Sequence, residues 1–596
     1  MGKSTKRKNT FLPSSDFIFD HIDLDPNSVK LITPIWKRSR YKAIVNWISQ
    51  YSVSPYADNL DQLKGILESF HLLCDLELWE KASHLLALPL SAPTTELLND
   101  QLDTWGYYAE QIGLYRQLEG KVRPALGASV SNRLGTAFYF MGNYEAASTH
   151  YHSALILAEA SQDIRQQGDI LGNIGNVYNA LSEYDIAIGF IERSLTIAKA
   201  CHDIQRVGEA CRDLGNVHYY KGNYELALNS YQKSLDASLA CLNIQGEIEA
   251  LGNIGSVYLA LDEYDCAMDN FKVSLHRSEE HQYLRGEMCA LGNLGSIFLF
   301  QGRYLESIEY QERSLQLAKE ISSPENESIA LSGLGNVYFR CQEFEKALDF
   351  YLQDLRITQR IANRQNEAGA LLNIGQAYLS VHNNKLATEY LQKGLELARD
   401  IGSLGLEKRG LQGLGDIFLS LRDYSKANVY YQQLLKNLEK TGFKSEKQAT
   451  LSKLGLTYDV LGRFDQAINC YQCSLELAND AGDLVGRSTA VSGLGSVFSQ
   501  LGNHTQALSF FKSWLTLTNI LGDTCGQAFA LCNVGETLMS LEKTHEAENH
   551  LLESLTIFRA LGMESEENEV LMHLCILYET LGDLTLASEY RQKLSQ

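Results

Sequence analysis

The chain has 596 residues, 45% hydrophobic and 21% charged, which excludes a disordered or collagen-like polymer. No run of 18 apolar residues occurs, which excludes an apolar membrane-spanning helix. The formal net charge is −21; positions 1–130 hold 14 Lys and Arg against 15 Asp and Glu, positions 131–596 hold 38 against 58, and such a surface repels a phosphate backbone and argues against nucleic acid as the main partner.

In chain order, residues 1–15 read as a disordered basic tail, with Lys3, Lys6, Arg7 and Lys8 and no apolar stretch of a signal peptide. Residues 16–124 read as an atypical helical segment, with helical stretches at about 60–73, 76–88, 95–104 and 106–119. Trp79-Glu80-Lys81-Ala82 and Trp105-Gly106-Tyr107-Tyr108 look like openings of worn repeat helices, so one or two degenerate repeats are expected here. The segment serves either as a packed cap or as a docking module. Seven of the eight prolines precede residue 125 and Pro324 alone follows, so the rest of the chain is predicted to be helical.

From about residue 131 a 40-residue period runs to the end, giving twelve units over 125–596. Leu171-Gly172-Asn173-Ile174-Gly175 returns as Leu251-Gly252-Asn253-Ile254-Gly255 and Leu291-Gly292-Asn293-Leu294-Gly295. An aromatic stands three residues after the second glycine in most units (Phe138, Tyr178, Tyr258, Phe298, Tyr338), and alanine nine residues further on (Ala147, Ala187, Ala227, Ala267, Ala347). Leu171, Ile174, Gly175 and Tyr178 fall at i, i+3, i+4 and i+7, one face of a helix; Tyr184, Ala187, Ile191 and Leu195 form the matching face of a second. Small Gly175 and Ala187 are predicted to let the helices approach closely. Turn glycines (Gly142, Gly222, Gly302, Gly462, Gly502, Gly582) and inter-unit glycines (Gly402, Gly442, Gly482, Gly522, Gly562) mark helix ends. Ser323-Pro324 reads as an N-cap followed by proline at N1.

This order of Leu-x-x-Leu-Gly-x-x-Tyr and Ala-x-x-x-Phe/Tyr resembles the tetratricopeptide repeat. The 40-residue unit resembles the subclass found in kinesin light chains, Leu-Gly-Asn adaptor proteins and cyanobacterial repeat proteins. The resemblance implies an all-α fold, a right-handed α-solenoid superhelix of antiparallel helix hairpins. It also implies that the first helix of each unit lines a concave groove read at fixed positions. Carried onto this chain, the residue after the signature glycine gives Asn176, Asn216, Ser256, Ser296, Asn336 and Gln376, and the residue two before it gives Asn173, Asn253, Asn293 and Asn373. A ladder of amides suits an extended peptide, because each amide both donates and accepts; the alternative is that these side chains bond neighbouring repeats or water. The paired lysines of the carboxylate-clamp form are missing: Lys453 stands alone, and Arg212, Arg340 and Arg409 are isolated from one another.

No nucleotide-binding loop, zinc-protease or serine-hydrolase motif occurs, and no catalytic, metal or cofactor residues are assigned. Cys470 and Cys473 form a lone CxxC, expected to be buried and reduced, which fits a cytoplasmic location. Glu247, Glu287, Glu327, Glu367, Glu407 and Glu567 open successive first helices, as N-terminal helix stabilisers or as a stripe that steers a basic partner. Leu584, Leu586 and Leu594 are expected to be partly exposed, and self-association through the array ends is a further expectation. The function expected is a non-catalytic scaffold that binds a neutral-to-basic peptide segment of a partner protein. The alternative is a ligand-sensing or regulatory subunit of a signalling or defence system whose effector lies on another chain.

Overall fold

Aspartate or asparagine at a helix N-cap accepts a backbone N–H that the helix cannot satisfy itself. Asp163, Asp203, Asn243, Asn363 and Asp523 do this at 40-residue intervals or multiples of them, at 2.8–3.2 Å, so first helices start in register. The computed structural model describes residues 12–51, 57–91, 96–441 and 444–594. They form helices with no strand, the one β pairing among them being the isolated bridge between Pro89 and Leu97. Twelve antiparallel hairpins follow one another, from Pro124–Phe140 with Tyr144–Ala160 to Glu564–Leu581 with Leu584–Lys593. The fold is the expected α-solenoid.

Two compact units divide the chain, Met1–Glu407 and Lys408–Gln596. Unit 1 begins with helices Ser15–His21, Ile35–Gln50, Asn59–Asp75, Trp79–Leu86, Leu98–Thr104 and Tyr108–Leu118. The first two helices were not anticipated. Of the expected 1–15 tail, residues 1–11 lie outside the described residues, and Ser14 already caps a helix by accepting from the Phe17 N–H. The core of this segment, including Phe70, Leu85, Leu102 and Tyr108, runs without a break into Val130, Leu134 and Ala137 of the first repeat helix.

Seven hairpins complete unit 1, and they curl far enough for late ones to meet early ones. The Arg364 N–H donates to the Met141 carbonyl at 3.4 Å, and the Tyr144 hydroxyl donates to the Gln365 side chain. Ile401 is buried in one cluster with Ala128, Tyr144 and Ile174. In unit 2, Leu586 and Leu594 pack against the core, whereas Leu584 is 72% exposed.

The turn glycines Gly142, Gly222, Gly302, Gly462, Gly502 and Gly582 take φ of 71–80°, as their position predicts. Gly402, Gly482, Gly522 and Gly562 do the same at 68–72°, and Gly442 lies outside the described residues. Pro324 is the first residue of its helix, but the Ser323 hydroxyl accepts from the Asn326 side chain and not from the backbone. Leu242 occupies a left-handed loop position with φ 56° and is 83% exposed. A left-handed conformation costs a branched side chain about 1 kcal/mol, while glycine adopts it freely. Leu242→Gly is therefore expected to raise stability by about 0.5–1 kcal/mol in denaturant unfolding; a loss would show that the leucine contributes packing its exposure does not reveal.

Candidate functional site

The site is built from one packing unit, repeated. In most units the signature glycine of the first helix seats an aromatic ring of the second; Gly175, Gly295, Gly375 and Gly535 meet Ile191, Gln311, Leu391 and Leu551 instead. A Cβ on Gly215 would lie 2.5 Å from the Tyr231 ring, and on Gly335 2.4 Å from that of Tyr351. The buried tyrosine then needs an acceptor for its hydroxyl. In three units the residue after the glycine supplies it: Tyr231 donates to Asn216 at 2.8 Å, Tyr351 to Asn336 at 2.7 Å and Tyr431 to Asp416 at 2.6 Å. Where the aromatic is Phe271 or Phe511, the matching residue is Ser256 or Ser496.

The amide columns therefore divide. Asn216 and Asn336 accept from tyrosine, and the structural alternative holds for their carbonyl oxygens. Asn173 donates to Asn132 at 2.9 Å, Asn176 to Asp213 at 3.3 Å and Asn373 to Ser332 at 3.3 Å, each linking adjacent first helices. Ser256 and Ser296 bond their own helix, to the carbonyls of Gly252 and Gly292. The side chains of Asn253, Asn293 and Gln376 make no hydrogen bond among the described residues; the two asparagines are half-buried and the glutamine is exposed.

A second aromatic column went unnoticed in the sequence. Tyr178 stacks on Phe190, Tyr338 on Phe350, Phe418 on Tyr430 and Phe498 on Phe510, with ring centroids 5.4–5.6 Å apart and interplanar angles of 2–7°. The signal was a second aromatic at one fixed spacing after the first, in unit after unit.

The acidic column is spent inside the fold. Glu247 takes a two-point bond from Arg277 at 2.8 Å, and Glu287 pairs with Arg313 at 2.7 Å. Glu407 pairs with Arg399 and Glu567 with Arg559, each at the end of the preceding helix; Glu327 lies 3.9 Å from Lys319, and Glu367 accepts from Gln359. These residues tie one helix to the next along the array. As a free stripe for steering a partner they are discounted.

Further acidic side chains in unit 1 are desolvated by the fold. Burial raises the Tyr139 hydroxyl to about 12, helped by Tyr220, Asp213 and Glu325, so three distant hairpins converge there. Cys289 and Tyr220 keep accessible surface, yet burial raises both; such side chains stand on the wall of a narrow groove. Burial likewise raises the carboxyls of Glu209, Asp213 and Glu325. Arg212 pairs with Glu249 at 2.5 Å and Asp213 at 3.4 Å, and in unit 2 Lys453 pairs with Asp416 at 2.6 Å.

The N-terminal helices dock on this same wall. Arg285 lies 3.3 Å from Glu96 and donates to the Thr104 hydroxyl, Tyr108 donates to Glu325 at 3.5 Å, and Arg133 holds Asp100 at 2.6 Å. A Cβ on Gly106 would lie 2.9 Å from Ile361 and 3.0 Å from Pro324, so the segment touches the array closely. Burial pushes the Asp103 carboxyl up to about 7 despite Arg133.

Cys470 and Cys473 are free and half-buried, less enclosed than expected; burial raises the Cys470 thiol to about 11, away from a reactive thiolate. No group of three metal-ligating side chains occurs among the described residues, and no helix among them is long and apolar enough to cross a membrane.

Fold and groove define a protein-interaction scaffold of the helical-repeat class. A tetratricopeptide-repeat family model matches residues 128–200, 286–360, 326–400 and 446–519, so this is a protein with tetratricopeptide repeats. No curated protein matches the sequence. Among solved structures, the apo form of RapI is 12% identical, covering 58% of this chain and 96% of that one with a TM-score of 0.48. A Rap protein complexed with competence and sporulation factor is 14% identical, covering 58% and 98% with a TM-score of 0.43. The apo form of the quorum sensor NprR from B. thuringiensis is 17% identical, covering 57% and 98% with a TM-score of 0.39.

Proposed function

We propose that the protein is a non-catalytic scaffold that holds an extended, neutral-to-basic peptide segment of a partner along the inward face of unit 1. The observation that carries this reading is the set of uncommitted amides, Asn253, Asn293 and Gln376, on the same columns as amides already engaged by the fold. Such amides pair with peptide N–H and C=O groups whatever the bound sequence. Desolvated carboxylates of unit 1 that have no ion pair among the described residues (Glu209, Glu325) favour a cationic ligand over an anionic one.

The test is capture from the native cell, with the wild type compared with the Asn253→Ala, Asn293→Ala, Gln376→Ala variant. The variant is expected to lose the specific partner at unchanged melting temperature. Asn216→Ala is expected to lose about 1–2 kcal/mol of stability, since it orphans the buried Tyr231 hydroxyl. Equal capture by wild type and the triple variant would remove the groove from the account.

One observation favours a second reading, a ligand-sensing or regulatory subunit whose effector lies on another chain. Helices Leu98–Thr104 and Tyr108–Leu118 rest on groove-wall residues Arg285 and Glu325. A peptide that takes over these contacts would release the segment. Faster hydrogen exchange in residues 98–118 on partner binding is the signature of this reading, and unchanged exchange there leaves the plain scaffold.

A further inference from the structure

A polar cavity of about 100 Å³ opens between the hairpins that begin at Ile204 and Ile244. Its floor holds Ser234 and Ser238, which are 3% and 4% exposed. Their hydroxyls have no hydrogen-bond partner among the described residues. This is unlike the same positions in the next unit, where Ser274 donates to the Ile248 carbonyl and Ser278 to the Ser274 carbonyl. The space exists because Gly208 stands where the next units carry Ile248 and Met288, and Gly246 adds no side chain on the other side.

The walls are Glu209, Arg212 and Glu249. Arg212 is saturated by Glu249 and Asp213, and the nearby Arg206 by Asp169 and Asp203. Glu209 has only the neutral amide of Gln205 as its hydrogen-bond donor, at 3.0 Å. Its carboxylate thus borders the cavity with no ion pair of its own, above two hydroxyls that can accept. Gln205 and Gln245 at the mouth are exposed, so the entrance faces solvent.

We infer that this cavity is a specificity pocket for one basic side chain, an arginine guanidinium or lysine ammonium, of the bound peptide. Glu209 is the counter-ion, and Ser234 and Ser238 accept the remaining N–H groups. A half-buried carboxylate without an ion pair and two free hydroxyl acceptors form a site for a donor-rich cation. The inference rests on the groove reading and specifies its ligand chemistry.

The test uses the full-length chain and calorimetric titration with acetyl-Gly-Gly-Arg-Gly-Gly-amide, its lysine analogue and its citrulline analogue, the last having nearly the same shape without the charge. The arginine or lysine peptide is expected to bind about ten-fold more tightly than the citrulline peptide. Glu209→Gln should erase that difference at an unchanged melting temperature. Ser234→Ala with Ser238→Ala should weaken the basic peptide by about three-fold or more. Equal affinity for arginine and citrulline, an undiminished preference in Glu209→Gln, or no binding by any of the three peptides would each overturn the pocket and leave it filled by water. Failure of the groove itself reads differently: native partner capture would survive the triple amide variant. Capture lost in that variant but kept in Glu209→Gln would leave the groove standing without this pocket.

Discussion

Gly255→Leu is expected to destabilise the array by more than about 3 kcal/mol. A Cβ at this position would lie 2.7 Å from Cε1 and 2.8 Å from Cδ1 of Phe271, closer than carbon atoms approach without one of them moving. Phe271 has no room to move, being fully buried among Ala267, Leu294 and Ile297. The extra volume of leucine therefore parts the two helices of the hairpin and costs more than ordinary overpacking, about 1–3 kcal/mol, because backbone separation is added. Gly252, one turn earlier in the same helix, is the control. Nothing lies within 4 Å of a Cβ placed there, so Gly252→Ala should gain up to about 1 kcal/mol from helix propensity. Urea unfolding of the two variants beside wild type checks the pair. A neutral Gly255→Leu, or a Gly252→Ala as damaging as it, would show that the helix contact has been misassigned.

That glycine was legible because close packing of two helices leaves a local and periodic mark. The spacing of Leu171, Ile174, Gly175 and Tyr178 specifies one helical face, and a small residue on it at every period has few explanations besides contact. The asparagine column was legible as a pattern and divided in its cause. Asn216 and Asn336 accept from Tyr231 and Tyr351 on the following helix, a pairing that is not general, since Tyr471 goes with Leu456 and Asn176 with Ile191. Asn253 and Asn293 belong to the other column, and their side chains make no hydrogen bond among the described residues. The partners of the acidic column were not legible, because Arg399, Arg313 and Arg277 among them sit on neighbouring helices and not within one helix turn. Least legible was the docking of Glu96, Thr104 and Tyr108 on Arg285 and Glu325. Those pairs join the N-terminal helices to hairpins in the middle of the chain, and no local pattern encodes how far the array curls before it meets its own beginning. The polar pocket falls between these cases: Gly208 in place of an apolar residue was on view, but a missing side chain says nothing of whether neighbours close over it.

Asp354→Asn is expected to stabilise unit 1, by an amount that depends on pH in a defined direction. Asp354 takes the place held by Ser274 and Ser314 in the two preceding units, where the serine hydroxyl donates to a backbone carbonyl. A carboxylate cannot donate, and here the bond runs the other way: the Ser328 hydroxyl donates to Asp354. That single bond does not replace the water lost. Asp354 is 3% exposed, and burial pushes its carboxyl up to about 7 from an ordinary 3.8. Between those two values the folded chain holds a proton that the unfolded chain has released. Stability contributed at this site therefore falls as pH rises through the window, by up to about 1.4 kcal/mol per pH unit, and levels off above pH 7. Asparagine keeps the acceptor for Ser328 and carries no charge. Its advantage over aspartate should accordingly grow from pH 5 to pH 7 and hold constant at pH 8, reaching several kcal/mol. Asp103, also raised to about 7, is present in both proteins and cancels from the comparison. Denaturant unfolding of wild type and variant at pH 5, 6, 7 and 8 measures the difference directly. An advantage that is flat with pH would place the benefit in packing, and a variant less stable at pH 8 would mean that the ionised carboxylate has a cationic partner that the fold does not otherwise reveal.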